Sequence, residues 1–222
     1  MSNYENAEID TVNDIEKGLG ISEACARAAE RTERTGTMTT ENRKEQYLHF
    51  MPISLTDIPL VTWLENAGFF EMPASIKYHG NYTGGLFDHS FAVATALVDL
   101  TKRLELKWER EESPYIVGMF HDLCKTKCYC LETEAFVENY LGEKHWTHRK
   151  NVLMPDHGAL SVILAESIIR LTDEEIACIR WHMGAFEKDL KMWDYYGRAI
   201  EQYPNVLYSH TADMIASRIC GV

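Results

Sequence analysis

The chain has 222 residues, 45% of them hydrophobic and 25% charged, which are the proportions of a globular protein rather than a disordered or fibrous one. Its formal net charge of −12 argues against binding to long nucleic acid or to anionic lipid. No apolar stretch approaches the roughly 18 residues of a membrane span, and the acidic start of the sequence is unlike a secretory signal. We therefore expect a cytoplasmic protein whose six cysteines are reduced.

The first predicted elements follow a polar N-terminal segment. Residues 1–45 are mostly polar and acidic, and we interpret them as a flexible or loosely docked arm that precedes a domain of residues 46–222. Thr56 or Asp57 can cap a short helix, and Gly68 is placed to end it.

The middle of the chain combines strong helices with one β-hairpin. Residues 86–104 place apolar side chains and His89 at three- and four-residue steps, which predicts an amphipathic helix. A Ser-Pro pair at 113–114 begins a second helix that extends to about residue 127. Aromatic and alternating residues then predict a hairpin insertion at about 128–154.

The last third of the chain is predicted to be helical. Thr172 and Glu175 have the spacing of a capping box, which predicts a helix from there through His182. The other helices are expected at about residues 157–170, 189–202 and 205–219. The fold class expected from all these elements is an all-α helical bundle with a small β-hairpin insertion.

Six residues with metal-ligating side chains stand out on these helices. His89, for example, interrupts an apolar face between Leu86 and Val93. Burying a polar group without a hydrogen-bond partner or a metal ion costs free energy, so each of these residues needs such a partner. A single histidine would most often be structural, but shared metal ions explain the whole set economically. Imidazole and carboxylate together suit iron, manganese, zinc or nickel. The six residues are His89, His121, Asp122, His157, His182 and Asp213.

Five short segments containing these residues resemble a known family. They are GGLFDHS at 84–90, FHDLCK at 120–125, HG at 157–158, WHMG at 181–184 and HTAD at 210–213. In this order they are similar to the HD-domain superfamily of metal-dependent phosphohydrolases, over about residues 78–220. The likeness is to the subgroup with extra histidines between the His-Asp pair and the last Asp. It implies an HD-domain helical bundle.

The resemblance also implies a metal cofactor with a defined ligand set. It predicts divalent transition ions, two per chain, with iron, manganese, nickel and zinc as candidates and magnesium as a further one. Two departures from the family pattern are Cys124, where a glycine is usual, and Trp181, where several relatives have another histidine. The first metal would be held by His89, His121, Asp122 and Asp213, and the second by His157 and His182 with Asp122 bridging.

The resemblance further implies a reaction. A metal-bound hydroxide would cleave a phosphate ester of a nucleotide or related small metabolite. Asp122 would orient the metals, and Lys125 would stabilise charge on the phosphoryl group. His79, in the loop before the first ligand, is a candidate substrate contact. The alternatives are a helix-end charge for Lys125 and a solvated loop histidine for His79.

Three other functions remain open at this point. A few proteins similar in ligand set use a di-iron pair to activate oxygen, and retained iron with oxygen consumption would identify that activity. A nucleotide-sensing module without turnover is the second alternative, although the intact ligand set argues against it. In the third, the histidines are purely structural and the chain binds no metal.

Overall fold

Helices and one short hairpin make up the part of the chain that the structure describes. This computed structural model describes residues 38–133, 144–152, 156–184 and 190–222. Residues 39–222 form one compact unit, and this unit contains all the elements described below. None of the described helices is both long and apolar enough to cross a bilayer.

The described elements confirm the predicted mixture of helices and a hairpin. Strands β1 (Tyr129–Thr133) and β2 (Lys144–His148) pair antiparallel, with Tyr129 opposite His148. A 3-10 turn spans Ile53–Leu55, and a π-helical turn spans Ile215–Ile219. The helices are α1 (Thr40–Phe50), α2 (Ile58–Asn66), α3 (Gly85–Leu104), α4 (Ser113–Phe120), α5 (Lys125–Cys128), α6 (His157–Glu166), α7 (Asp173–Arg180), α8 (Leu190–Gln202) and α9 (Asn205–Met214).

Two predicted helix starts have the expected side-chain caps. Asp57 accepts a hydrogen bond from the Leu60 backbone N–H at the start of α2. Thr172 and Glu175 form the predicted capping box of α7. The fully buried Glu175 carboxylate also accepts two hydrogen bonds from Arg110, at 2.8 and 2.7 Å, and therefore ties α7 to the segment before α4.

The predicted helix from Ser113 to about residue 127 is divided in the structure. Helix α4 ends at Phe120, and the His121 side chain donates a hydrogen bond to the Gly118 carbonyl in its last turn. Beyond that point the backbone continues in tight turns, with the Lys125 N–H bonded to the Asp122 carbonyl three residues earlier. The break turns His121 and Asp122 toward the same region of the interior.

Helix α3 is central to the core. Its predicted apolar face is buried from Leu86 to Leu100, whereas Leu104 at its end is 45% exposed. Helix α4 packs so closely against it that a Cβ at Gly118 would overlap the backbone of Ala94. A set of fully buried aromatic rings fills the adjoining core, with centroid separations of 5.4 to 6.5 Å: Phe69, Phe70, Phe87 and Phe120.

A buried ion pair attaches helix α1 to helix α3. The Arg43 guanidinium contacts both Asp88 carboxylate oxygens, at 3.0 and 2.9 Å, and Arg43 is only 2% exposed. Gly84, at φ +89°, leaves the space that this guanidinium occupies. The predicted boundary near residue 45 thus falls inside α1, while residues 1–37 of the predicted arm lie outside the described residues.

Candidate metal centre

Five of the six predicted ligands converge in two overlapping groups. His89, His121 and Asp213 form one group, and His121, Asp122 and His182 form the other. In each group, one potential ligand atom per residue lies within 4.8 Å of the others. The donors are imidazole nitrogens and carboxylate oxygens, a combination that transition metals accept. These buried groups could hold a metal ion, and we refer to the five residues as the His/Asp cluster.

The Asp122 carboxylate lies between the histidines of the His/Asp cluster. Its Oδ2 atom is 3.9 Å from His89 Nε2 and 3.8 Å from His121 Nε2. Its Oδ1 atom is 3.6 Å from His182 Nε2 on the other side. The two oxygens of one carboxylate therefore face different imidazoles, which is the arrangement that a bridging ligand requires.

The Asp213 carboxylate completes the other side of the His/Asp cluster. His89 Nε2 lies 3.2 Å from Asp213 Oδ1 and 3.2 Å from His121 Nε2. Asp213 stands near the end of α9, directly before the π-helical turn. Such wider turns often occur at functional sites, and the helical periodicity of the sequence gave no sign of this one.

Backbone carbonyls fix the orientation of three histidine rings. The Nδ1 atoms of His89, His121 and His182 lie 2.9, 2.9 and 2.7 Å from backbone carbonyl oxygens. A carbonyl can only accept, so each Nδ1 carries the proton and donates. In the neutral ring the Nε2 lone pair is then free, and all three Nε2 atoms point into the cluster. The carbonyls belong to Val222, Gly118 and Ile179, respectively.

His157 lies beside the two groups rather than within either one. Its ring stacks on that of His182, with centroids 5.1 Å apart and an interplanar angle of 29°. Three buried polar atoms here have no hydrogen-bond partner among the described residues, namely His157 Nε2, His182 Nε2 and Asp122 Oδ1. Burying a polar atom without a hydrogen-bond partner costs free energy, so a cation between these three atoms would explain why they are retained. The residues present therefore fit a metal ion.

The two carboxylates favour their ionised forms despite their burial. Burial by itself raises the pKa of Asp122, but the Lys125 ammonium and then His182 outweigh it and hold that pKa well below its usual value. For Asp213, burial is likewise outweighed, here by the contact with His89, and its pKa is also lowered. Both side chains consequently offer anionic oxygens to a cation.

The imidazoles divide into two pairs with opposite pKa shifts. Burial lowers the pKa of His121 and that of His157 to about 4, so both rings are neutral at neutral pH. Burial also acts on His89 and His182, but in each a neighbouring carboxylate outweighs it and raises the pKa. A metal ion would therefore compete with protons more strongly at the second pair than at the first.

Lys125 lies at the edge of the His/Asp cluster. Its Nζ atom is 4.0 Å from Asp122 Oδ1 and 5.8 Å from the centre of the Tyr129 ring. Burial alone would lower its pKa, but the Asp122 carboxylate outweighs this and raises it. With a side chain only 16% exposed, Lys125 is a partly buried ammonium group beside the carboxylate rather than a fully solvated helix-end charge.

His79 and His210 also lie next to the cluster. The His79 ring is partly buried, 4.9 Å from the His89 ring, and burial lowers its pKa to about 4. His210 Nδ1 donates to the His182 carbonyl over 2.6 Å, which supports the backbone of that residue. Tyr129, which begins β1 and whose ring contacts Lys125, was not predicted as part of the site, because no spacing in the sequence distinguishes it.

Comparison of the chain with protein-family models gives no match, and comparisons with curated proteins and with solved structures likewise give none.

Proposed function

We propose that the chain is a metal-dependent phosphohydrolase with an HD-domain helical bundle, acting on a phosphate ester of a nucleotide or related small metabolite. In this proposal the site would hold two divalent transition-metal ions, and Asp122 would contribute to the binding of both. The residues that would hold the first are His89, His121, Asp122 and Asp213, and those for the second are His157, His182 and Asp122.

The observation that carries the proposal is the common orientation of three imidazoles. Histidines that serve only packing have no reason to bring their second ring nitrogens together beside two buried carboxylates. Here His89, His121 and His182 use Nδ1 on backbone carbonyls and direct Nε2 toward one another and toward ionised carboxylates. Nitrogen lone pairs meeting carboxylate oxygens in a buried space form the environment of a metal ion.

The chain's own residues have distinct tasks in such a reaction. A bound metal would supply Lewis acidity for activating water and polarising a phosphoryl oxygen. The two oxygens of the Asp122 carboxylate face different histidines, so Asp122 would hold the ligand atoms of the two metal sites at a fixed distance from each other. The Lys125 ammonium, beside that carboxylate, is placed to bind a phosphate oxygen as negative charge increases. His79 at the rim is a candidate substrate contact.

The proposal is tested by metal content and phosphate release in the same preparation. Protein purified without chelator is expected to contain about two transition-metal ions per chain and to release phosphate from small phosphate esters. Iron with oxygen uptake and no phosphate release would instead indicate a di-iron oxygenase. Nucleotide binding without turnover would indicate a sensor. A chain that neither retains nor takes up metal would overturn the proposal.

Replacing Lys125 with methionine should lower kcat by about a hundredfold while leaving most of the metal in place. Methionine keeps the length and apolar character of the side chain but removes the charge that lies 4.0 Å from Asp122 Oδ1. Steady-state kinetics and elemental analysis of the same sample measure both quantities.

The matched control is Lys127→Met on the same short helix. Lys127 is exposed, so its loss should change kcat by less than about twofold. Equal effects of the two substitutions would show that Lys125 contributes only general charge. Unchanged turnover in both variants would remove Lys125 from the mechanism.

A further inference from the structure

One face of the hairpin leads outward from the His/Asp cluster. In the antiparallel register, Tyr129 lies opposite His148 and Leu131 lies opposite Trp146. Side chains two apart on a strand, and those directly opposite across the pair, share one face of a sheet. The Tyr129 and His148 rings are indeed in contact, with centroids 5.2 Å apart. We call these four residues the aromatic hairpin face.

The inner end of the aromatic hairpin face contacts the cluster through Lys125. Tyr129 is only 5% exposed, and Lys125 Nζ lies 5.8 Å from the centre of its ring. The same Nζ is 4.0 Å from Asp122 Oδ1. Because a strand advances about 3.3 Å per residue, Leu131 and Trp146 stand roughly 7 Å farther out along the same face.

The outer end of the face is open and apolar, whereas cationic groups lie at its inner end. Leu131 is 47% exposed, and Trp146 is partly exposed. At the inner end, the exposed Arg149 and Lys150 follow β2 directly, and Arg149 donates a hydrogen bond to the Tyr129 carbonyl, although the chain as a whole carries a formal charge of −12. A flat ring next to an anionic group complements such a surface better than a hydroxylated sugar does.

We infer that the aromatic hairpin face binds the base of a nucleoside monophosphate whose phosphate reaches Lys125 and the His/Asp cluster. The inference rests on the proposed phosphohydrolase function, which places the phosphate group at Lys125. The rest of the substrate then extends along the continuous surface from Tyr129 to Trp146. Trp146 provides the stacking surface for the base, and this selects nucleotides over phosphosugars.

The test compares two probes that differ only in the base. Methylene phosphonate analogues of adenosine 5′-monophosphate and of ribose 5-phosphate resist hydrolysis, so their Kd values can be measured by calorimetry on the full chain loaded with the metal it retains. The Trp146→Ala variant should bind the adenosine probe roughly tenfold more weakly and the ribose probe unchanged. Trp146→Phe should retain most of the affinity, because phenylalanine keeps a stacking ring.

Thr147→Val serves as the control, since residue 147 follows Trp146 on β2 and lies on the opposite face of the hairpin. It should bind both probes as the unsubstituted chain does. Circular dichroism on each variant establishes that the hairpin substitutions leave the fold intact.

The outcomes separate this inference from the proposed function. Equal affinity of the unsubstituted chain for both probes, or equal weakening of both by Trp146→Ala, would overturn the base-binding face. Phosphate release from adenosine 5′-monophosphate and ribose 5-phosphate themselves is measured separately on the same preparation. Absence of release from both esters would count against the phosphohydrolase, while the two Kd values would still decide whether the face binds a base.

Discussion

Replacing Asp122 with alanine is expected to lower phosphate release by about a thousandfold or more and to remove most of the bound metal. The reason is that this one carboxylate faces both groups of ligands, with Oδ2 3.8 Å from His121 Nε2 and Oδ1 3.6 Å from His182 Nε2. No other described carboxylate occurs in the group with His182. Elemental analysis and kcat, measured on the same preparations, test the prediction.

Two further variants complete that experiment. Asp122→Asn keeps the size of the side chain and one carbonyl oxygen, so it should retain more metal than the alanine variant but little activity. Asp99→Ala removes a partly exposed carboxylate of α3 that pairs with Arg103, and it should leave metal content and kcat unchanged. If Asp122→Ala lost thermal stability but kept its metal and its turnover, the cluster would be structural and the proposed function wrong.

Replacing Gly118 with alanine is expected to destabilise the fold by about 1–3 kcal/mol and to weaken metal binding as well. The added Cβ would overlap the Ala94 backbone, which cannot move aside as a flexible side chain can, so α3 and α4 would have to separate. These two helices position His89 and His121, whose Nε2 atoms are 3.2 Å apart. Urea unfolding of the metal-free chain and metal titration measure the two effects.

Gly197→Ala makes the same chemical change where the structure leaves room. Gly197 is exposed in α8, and apart from its chain neighbours and its own helix backbone, no atom of the described residues would lie within 4 Å of its added Cβ. Since alanine favours a helix more than glycine does, this variant should be stabilised by about 0.5–1 kcal/mol with metal binding unchanged. Similar stability changes at both positions would show that the contact between α3 and α4 is looser than described.

Local sequence signals predicted much of the secondary structure correctly. Asp57, Thr172 and Glu175 act within their own helix starts, so their side-chain bonds depend on three-residue spacings that the sequence displays. The hairpin followed from alternating residues on both strands. The inward position of His89 followed from the three- and four-residue steps of α3.

Contacts between segments that are distant in the sequence could not be predicted from local spacings. The ion pair of Arg43 with Asp88 joins residues 45 apart, and neither residue stands in a pattern that identifies the other. The end of α4 at Phe120, where the His121 ring donates to the Gly118 carbonyl, is not indicated by the periodicity of the sequence. Whether His157 would join the other ligands also depends on helix packing, and the structure places it stacked on His182.

The use of main-chain carbonyls to hold the imidazoles has a consequence for how this protein tolerates sequence change. The carbonyl oxygens of Gly118, Ile179 and Val222 are present whatever side chain each position carries. Substitution there can shift an acceptor only by displacing the backbone, and it cannot delete the acceptor. Except at Gly118, where an added Cβ would itself displace the backbone, ring orientation is consequently buffered against mutation, so side chains around the cluster can diversify while the geometry of the donor atoms is preserved.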